Sequence, residues 1–160
     1  MLSIRPTEIA DIDRIIQIEQ ADRQWICPYS PNKHLDCMEE PSQLHLSVWR
    51  RDDSEPIGFL IILGLNNPNL AMEFRRIVIA EKGQGYGRRC IRWVKRFCFE
   101  EKKYHRLWLD VFTDNERARQ LYLSEGFRQE GHLRESILHD GQHRDLYLLA
   151  MLENDFLKNQ

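Results

Sequence analysis

The fold is decided by the stretch from Met72 to Glu101. It begins with a run typical of a buried strand and then reaches a glycine turn, Met72-Glu73-Phe74-Arg75-Arg76-Ile77-Val78-Ile79 followed by Lys82-Gly83-Gln84-Gly85-Tyr86-Gly87. Glycines leave a backbone open to a bulky group, and the first amides of a helix have no partner within it. A strand, a glycine turn and a helix in this order predict a cradle for a phosphate.

The helix predicted after Gly87 separates apolar from charged residues. One stripe is apolar: Cys90, Ile91, Val94, Phe97 and Cys98. The other side is basic: Arg88, Arg89, Arg92, Lys95 and Arg96. Such a division is typical of a helix that packs with one face and leaves the other to solvent or anions.

Two nucleotide-binding alternatives fit the glycine turn less well. A P-loop would place Lys and then Ser or Thr after the last glycine, where Arg88 and Arg89 stand. A dinucleotide fingerprint beginning at Gly85 would place glycine or alanine at Cys90, within repeated strand-helix-strand units that the sequence lacks. Both remain minor alternatives to an ordinary strand-to-helix turn or another kind of phosphate loop.

The turn resembles the acetyl-CoA pyrophosphate loop of the GNAT family of N-acetyltransferases, in which Arg or Gln precedes two residues and Gly-x-Gly or Gly-x-Ala. Lys82 occupies the first position and keeps its positive charge, as a point charge rather than a planar fork. A second family block follows: Asp114-Asn115, Ala118, Leu121-Tyr122 and Glu125-Gly126-Phe127. The resemblance covers about Ile4 to Leu152 and implies an α/β fold, a mixed sheet of six or seven strands with helices on both faces.

The resemblance also implies the cofactor and the residues that bind it. Acetyl-CoA would be the acetyl donor, and a backbone amide of Ile77 or Val78 would face its thioester oxygen. Asn115 would bind the pantetheine arm or, alternatively, cap its own helix. The full set of implied cofactor-binding residues is Ile77, Val78, Ile79, Lys82, Gly83, Gln84, Gly85, Tyr86, Gly87, Arg88 and Asn115.

Two catalytic residues are carried over from the family pattern. Glu73 matches the glutamate that many members direct toward the amine as general base, and its alternative role is a pair with Arg75 or with a neighbouring strand. Tyr122 matches the tyrosine that protonates the departing thiolate, and its alternative role is packing against Ala118 and Leu121. The implied chemistry is direct attack of the amine in a ternary complex, without a metal or a covalent enzyme intermediate. A sensor that binds acetyl-CoA without turnover is the alternative function.

Composition sets broad limits on the protein. At 160 residues the chain is expected to form one domain, which buries about two thirds of its unfolded surface. A net charge of −2 argues against a nucleic-acid or membrane binder. Four cysteines without close pairs and an N-terminus without a signal-peptide core predict reduced thiols in a cytoplasmic protein.

Periodicity outlines the remaining elements. A first strand (Leu2 to Arg5) precedes a helix with Ile9, Ile12, Ile15 and Ile16 on one stripe. Further strands are expected at 44–49, 57–65, 107–111, 127–137 and 144–152, the last two joined by Asp140-Gly141. Thr113 and Glu116 predict a capping box for a helix that ends at Gly126.

The segment from Gln20 to Gln43 lacks periodicity and contains three prolines, so an irregular wall over a site is predicted. Trp25 and Tyr29 could stack on a cationic substrate, or anchor a solvated loop. Its cysteines and histidines (Cys27, Cys37, His34, and His45 beyond it) fit no compact zinc spacing. The acceptor stays open between a small amine and a peptide N-terminus, although the C-terminal part loosely resembles the branch with ribosomal-protein N-terminal and polyamine acetyltransferases. Oligomeric state also stays open, with a homodimer as one option.

Overall fold

The computed structural model describes the whole chain, Met1–Gln160. Its strands are β1 (Leu2–Pro6), β2 (Gln43–Arg50), β3 (Gly58–Leu63), β4 (Ala71–Ile79), β5 (Arg106–Phe112), β6 (Arg128–His139) and β7 (Gln142–Leu152). Its helices are α1 (Ile12–Ala21), α2 (Pro31–Glu39), α3 (Tyr86–Arg96), α4 (Glu116–Ser124) and α5 (Glu153–Lys158). A 3₁₀ turn (Ile9–Asp11) leads into α1, and a π-helical turn (Phe97–Glu101) follows α3.

The strands form one seven-stranded mixed sheet in the order β1-β2-β3-β4-β5-β7-β6. β4 and β5 run parallel and pair over three residues, from Ala71↔Arg106 to Glu73↔Trp108. The β1–β2, β2–β3, β5–β7 and β6–β7 pairs are antiparallel. The predicted α/β fold with a mixed sheet of six or seven strands is confirmed.

The chain divides into two compact units. The first comprises Met1–Asn66 and Phe74–Cys90, and the second comprises Asn67–Glu73 and Ile91–Gln160. The first unit has an apolar core in which α1 and α2 pack against β3 and β4. Its residues are Ile15, Ile18, Cys37, Phe59, Ile61 and Val78. The expectation of one domain stays a prediction.

Helix α2 lies in the segment that the sequence predicted to be irregular, so that prediction was wrong. The Ser30 hydroxyl accepts a hydrogen bond from the Lys33 amide at 3.2 Å, and Pro31 occupies the first turn. Proline is well tolerated there because its missing N–H would have no helical partner. The prolines of this segment were interpreted as helix breakers, whereas Pro31 begins a helix.

Two details at the helix starts also differ from the predictions. Ile9 lies in the 3₁₀ turn and is 78% exposed, so it does not belong to the buried stripe of α1. The capping box between Thr113 and Glu116 does not form, because Asn115 caps α4 and its Oδ1 accepts from the Ala118 amide at 3.3 Å. An asparagine side chain directly before a helix can accept from the amides of its first turn.

The other local predictions agree with the structure. All five residues of the predicted apolar stripe are buried, although the last two, Phe97 and Cys98, lie in the π-helical turn after α3. Asp140 and Gly141 have the positive φ angles that a tight hairpin requires. Four free cysteines are present. None of the helices combines the length and the apolar character needed to cross a bilayer. Helix α5 was not predicted.

Candidate functional site

The turn between β4 and α3 has a backbone conformation that favours glycine. Gly83 has φ +80° and Gly85 has φ +75°, a backbone region that residues with a side chain rarely adopt. A Cβ at either position would meet no atom within 4 Å, so the space in front of this backbone is open. The turn therefore combines a conformation that requires glycine with room for a ligand.

The amides at the start of α3 are available in this loop. The Arg89 amide donates to the Gly85 carbonyl at 3.2 Å, which is the first backbone bond entering the helix. The helix therefore does not use the amides from Gln84 to Gly87, and its positive end favours an anion in front of them. Lys82 and Arg89 add exposed positive charges. These residues fit a pyrophosphate group.

Lys82 contacts the end of α1 in this structure. Its Nζ lies 2.8 Å from Oδ2 of Asp22, the C-cap residue of that helix. The Lys82 side chain is 44% exposed and that of Asp22 is 18% exposed. The loop is thus joined by an ion pair to the first residue of the segment between α1 and α2.

Gly58 is a structural requirement that the sequence analysis missed. A Cβ at Gly58 would lie 2.3 Å from the Val78 carbonyl oxygen and 2.6 Å from Cδ1 of Ile79. Real contacts are never so short, so β3 can approach the end of β4 only because residue 58 is glycine. A glycine directly after a predicted hairpin turn was the available signal. The position of β4 just before the glycine loop depends on it.

The predicted base, Glu73, belongs to the second unit. It is partly buried, and it pairs with Trp108 at the last step of the β4–β5 ladder. Backbone pairing to β5 thus fixes the strand at this residue. The general-base role of Glu73 stays a prediction.

The predicted acid, Tyr122, lies on α4 and is 7% exposed. Its ring meets that of Phe127 edge-to-face, with 5.8 Å between centroids. Burial, together with the negative charge of Asp110, raises the pKa of Tyr122 above its ordinary value. The hydroxyl therefore keeps its proton at neutral pH, as a proton donor must. The packing role is observed, and the acid role stays a prediction.

Two of the chain's own cations lie over the Tyr29 ring. Lys33 Nζ is 4.2 Å from its centroid and the Arg76 guanidinium carbon is 4.6 Å away. The observed role of Tyr29 is therefore to hold this segment in place through cation–π contacts. Trp25 is partly buried, and its amide donates to the Asp22 carbonyl at 2.9 Å. Substrate contacts by either residue stay predictions.

The segment that carries Tyr29 is anchored by a buried carboxylate, Glu19 of α1, which is fully enclosed. Its Oε1 accepts from the Tyr29 amide at 2.8 Å and lies 3.0 Å from Nε2 of His34. Its Oε2 accepts from Arg76 of β4 at 2.7 Å. Burial raises the pKa of Glu19, but the His34 hydrogen bond and the Arg76 charge outweigh burial, so the net pKa is lowered.

The hydrogen bonds continue from Glu19 through two histidines. Nδ1 of His34 lies 2.8 Å from Nε2 of His45, and Nδ1 of His45 lies 2.8 Å from Oγ1 of Thr7. An ionised Glu19 can only accept hydrogen bonds. When both imidazole rings are neutral, the Thr7 hydroxyl therefore donates to His45, His45 donates to His34, and His34 donates to Glu19. We call these four residues together with Arg76 the buried polar chain. The histidines once considered as metal ligands are thus engaged with each other.

The buried polar chain predicts a loss of stability in mild acid. Burial, and then the His34 charge, lower the pKa of His45 to about 4. Histidine in the unfolded chain titrates near 6.5, so below that pH the unfolded state binds one more proton. The free energy of unfolding should fall by about 1.4 kcal/mol per pH unit between these values, in total by about 3 kcal/mol.

Urea unfolding at several pH values measures this slope. The groups facing His45 are His34 and Thr7, with Glu19 and Arg76 further along the chain. His45→Gln should reduce the dependence of the unfolding free energy on pH above about pH 5.5, where most carboxylates are ionised in both the folded and the unfolded state. An identical slope in this variant would mean that other groups cause the acid sensitivity.

Cys90 is the cysteine that comes directly after the glycine loop and the first turn of α3. It is fully buried, and burial raises the pKa of its thiol to about 12. A thiol that does not ionise near neutral pH is a poor nucleophile. This observation supports direct transfer over a covalent route through Cys90.

Comparisons with known proteins found similar sequences and structures. A sequence model described as the acetyltransferase (GNAT) family matches residues 12–127. Spermidine N(1)-acetyltransferase of Vibrio cholerae serotype O1 is 28% identical over 135 residues, covering 79% of this chain and 78% of that protein. Spermidine N(1)-acetyltransferase of Escherichia coli K12 is 25% identical over 165 residues, covering 98% and 88%.

Solved structures share the fold. The Vibrio cholerae spermidine N-acetyltransferase in complex with CoA and spermine superposes with a TM-score of 0.85 at 23% identity, covering 98% of each chain. A dodecameric structure of that enzyme gives a TM-score of 0.84 at 24% identity, covering 99% of this chain and 98% of that chain. At these identities the likeness establishes the fold.

Proposed function

The chain belongs to the acetyltransferase (GNAT) family and is an acetyl-CoA-dependent N-acetyltransferase, and from that premise we propose that its acceptor is a polyamine of the spermidine type. The observation that carries this proposal is its similarity to two spermidine acetyltransferases, which extends over 79% and 98% of the chain. A solved structure with the same fold is a complex with CoA and spermine. A peptide N-terminus is the competing acceptor.

In the proposed reaction the coenzyme supplies an acetyl thioester and the protein positions groups around it. The amides from Gln84 to Gly87 would hold the pyrophosphate, and a backbone amide of Ile77 or Val78 would donate to the thioester oxygen. Glu73 would take one proton from the ammonium of the acceptor, directly or through water, so that the neutral amine can attack the thioester carbon. Tyr122 would give its proton to the sulfur as the carbon–sulfur bond breaks, and would regain a proton from the nitrogen of the new amide, directly or through solvent. Lys82, Arg88 and Asn115 complete the proposed cofactor contacts.

The acceptor is tested by a thiol-release assay with spermidine, spermine, a simple monoamine and short peptides with free N-termini. We expect the highest kcat/KM with a polyamine. Efficient transfer to a peptide and none to polyamines would overturn the acceptor assignment but keep the enzyme class. Binding of acetyl-CoA without turnover on any acceptor would favour the sensor alternative.

The ion pair between Asp22 and Lys82 leads to a prediction about coenzyme affinity. Asp22→Asn should free Lys82 for the pyrophosphate, so that CoA binds about two- to fivefold more tightly, as expected from an exposed ion pair. Calorimetric titration with CoA measures the change. Asp36→Asn is the matched control, because Asp36 is an exposed carboxylate of α2. Weaker binding by Asp22→Asn would instead mean that Asp22 orients Lys82 toward the coenzyme.

We also propose that the chain self-associates, with a homodimer as the smallest unit. The dodecamer formed by the relative from Vibrio cholerae supports self-association in this fold. Light scattering after size-exclusion chromatography measures the mass directly. A monomer at all concentrations would refute this part of the proposal.

A further inference from the structure

Arg50, the last residue of β2, makes side-chain contacts with the turn that follows β2 and with both ends of the glycine loop. Its Nε donates to Oδ2 of Asp53 at 2.7 Å, in the turn that follows β2. Its Nη1 donates to Oε2 of Glu81 at 3.0 Å, directly before the glycine loop. The Tyr86 side chain, between Gly85 and Gly87, also interacts with the Arg50 guanidinium. One guanidinium thus contacts both ends of the loop.

The backbone that carries Arg50 is itself fixed. Arg50 pairs with Leu2 of β1, and the Arg51 amide donates to the Met1 carbonyl at 3.2 Å. Two hydrogen bonds of 2.8 Å connect β2 to the end of β4, from Ile57 to Val48 and from Ala80 to Ile57. Residue 80 directly precedes Glu81. The backbone positions of Arg50 and of Glu81, before the loop, are therefore fixed by connected hydrogen bonds.

A loop rich in glycine is costly to order. Each ordered residue loses backbone entropy, and glycine loses more than other residues. Contacts that order such a loop in advance raise affinity, because the ligand no longer supplies that cost. Arg50 can act on the segment from Glu81 to Tyr86 in this way, since its planar fork serves several acceptors at fixed angles.

We propose that Arg50 is a positioning residue for the coenzyme loop, which holds Glu81 and Tyr86 so that the amides from Gln84 to Gly87 converge before the coenzyme binds. This inference rests on the use of CoA in the proposed function. It assigns Arg50 an indirect role, in which the guanidinium orients the loop and does not touch the phosphates. The direct alternative is a contact between Arg50 and the 3′-phosphate of CoA.

The test compares the binding of CoA and of 3′-dephospho-CoA by calorimetry. Arg50→Gln should weaken both ligands equally, by about fivefold to tenfold. Tyr86→Phe, which removes only the hydroxyl, should give part of this loss, and the double variant should lose less than the sum. Arg51→Gln is the matched control, because Arg51 is 80% exposed and pairs only with exposed Asp52; it should bind both ligands as wild type does.

Amide hydrogen exchange of residues 84–87 in the free protein gives a second readout that needs no coenzyme. Exchange should be faster in Arg50→Gln than in wild type or in Arg51→Gln. Arg50→Lys keeps the charge but loses the fork, so it should keep the melting temperature and still lose affinity.

Three results would overturn the inference. Unchanged affinity and exchange in Arg50→Gln would show that the loop does not depend on Arg50. Weakened binding of CoA but not of 3′-dephospho-CoA would assign Arg50 to direct phosphate contact. Failure of the wild-type protein to bind either ligand would refute the coenzyme site itself and, with it, the proposed function.

Discussion

Glu19→Gln should lower the free energy of unfolding by about 3 to 5 kcal/mol. The change keeps the shape of the side chain but removes the anion opposite Arg76, whose side chain is only 7% exposed. Both carboxylate oxygens of Glu19 accept hydrogen bonds. In glutamine one of these oxygens is replaced by an NH₂ group, which then faces a hydrogen-bond donor. An unpaired buried cation and a donor facing a donor are both costly. Urea unfolding at neutral pH measures the loss.

The matched control is Glu130→Gln. Glu130 pairs with Arg106, but its side chain is 38% exposed, so its removal should cost less than about 1 kcal/mol. The double variant Glu19→Gln, Arg76→Gln should be more stable than the sum of the two single changes predicts, since neither charge is then left alone. A loss in Glu19→Gln no larger than in Glu130→Gln would mean that the buried carboxylate contributes nothing beyond a surface pair.

The buried polar chain also illustrates what the sequence could not predict. His34 and His45 are 11 residues apart on a helix and a strand, and Glu19 and Arg76 are 57 apart. No local pattern relates such positions, so the histidines were considered only as metal ligands and Arg76 as part of a strand. Helix α2 was missed for a different reason, because proline has opposite effects at the first turn and in the interior of a helix.

The glycine loop and the apolar stripe of α3 were predictable because their signals are local. Periodicity assigned the buried face from Cys90 to Cys98, and the spacing of glycines indicated an open backbone. Gly58 and Arg50 act on the same loop from distant positions. Their effects depend on how closely β2, β3 and β4 approach one another, which the sequence of each strand does not specify.

Tyr122→Phe should reduce kcat by about 10²- to 10⁴-fold, the usual contribution of a general acid, and leave the dissociation constant of CoA within about twofold. The phenyl ring can keep the edge-to-face contact with Phe127, so the melting temperature should change little. Turnover with acetyl-CoA and spermidine, calorimetry with CoA and thermal unfolding provide the three measurements. Tyr104→Phe is the control, since Tyr104 is a second tyrosine with 7% exposure and has no role in the proposed reaction.

The pH dependence of the wild-type rate tests the same role without a mutation. Burial and the charge of Asp110 raise the pKa of Tyr122, so the phenol stays protonated beyond pH 10, the ordinary value for tyrosine. Ionisation of the Tyr122 phenol therefore cannot reduce the rate below pH 10. Deprotonation of the acceptor amine should instead make the rate rise toward alkaline pH. If the rate instead falls between about pH 8 and pH 9 while Tyr122→Phe shows no such fall, the phenol ionises in that range, and burial does not maintain it as the proton donor.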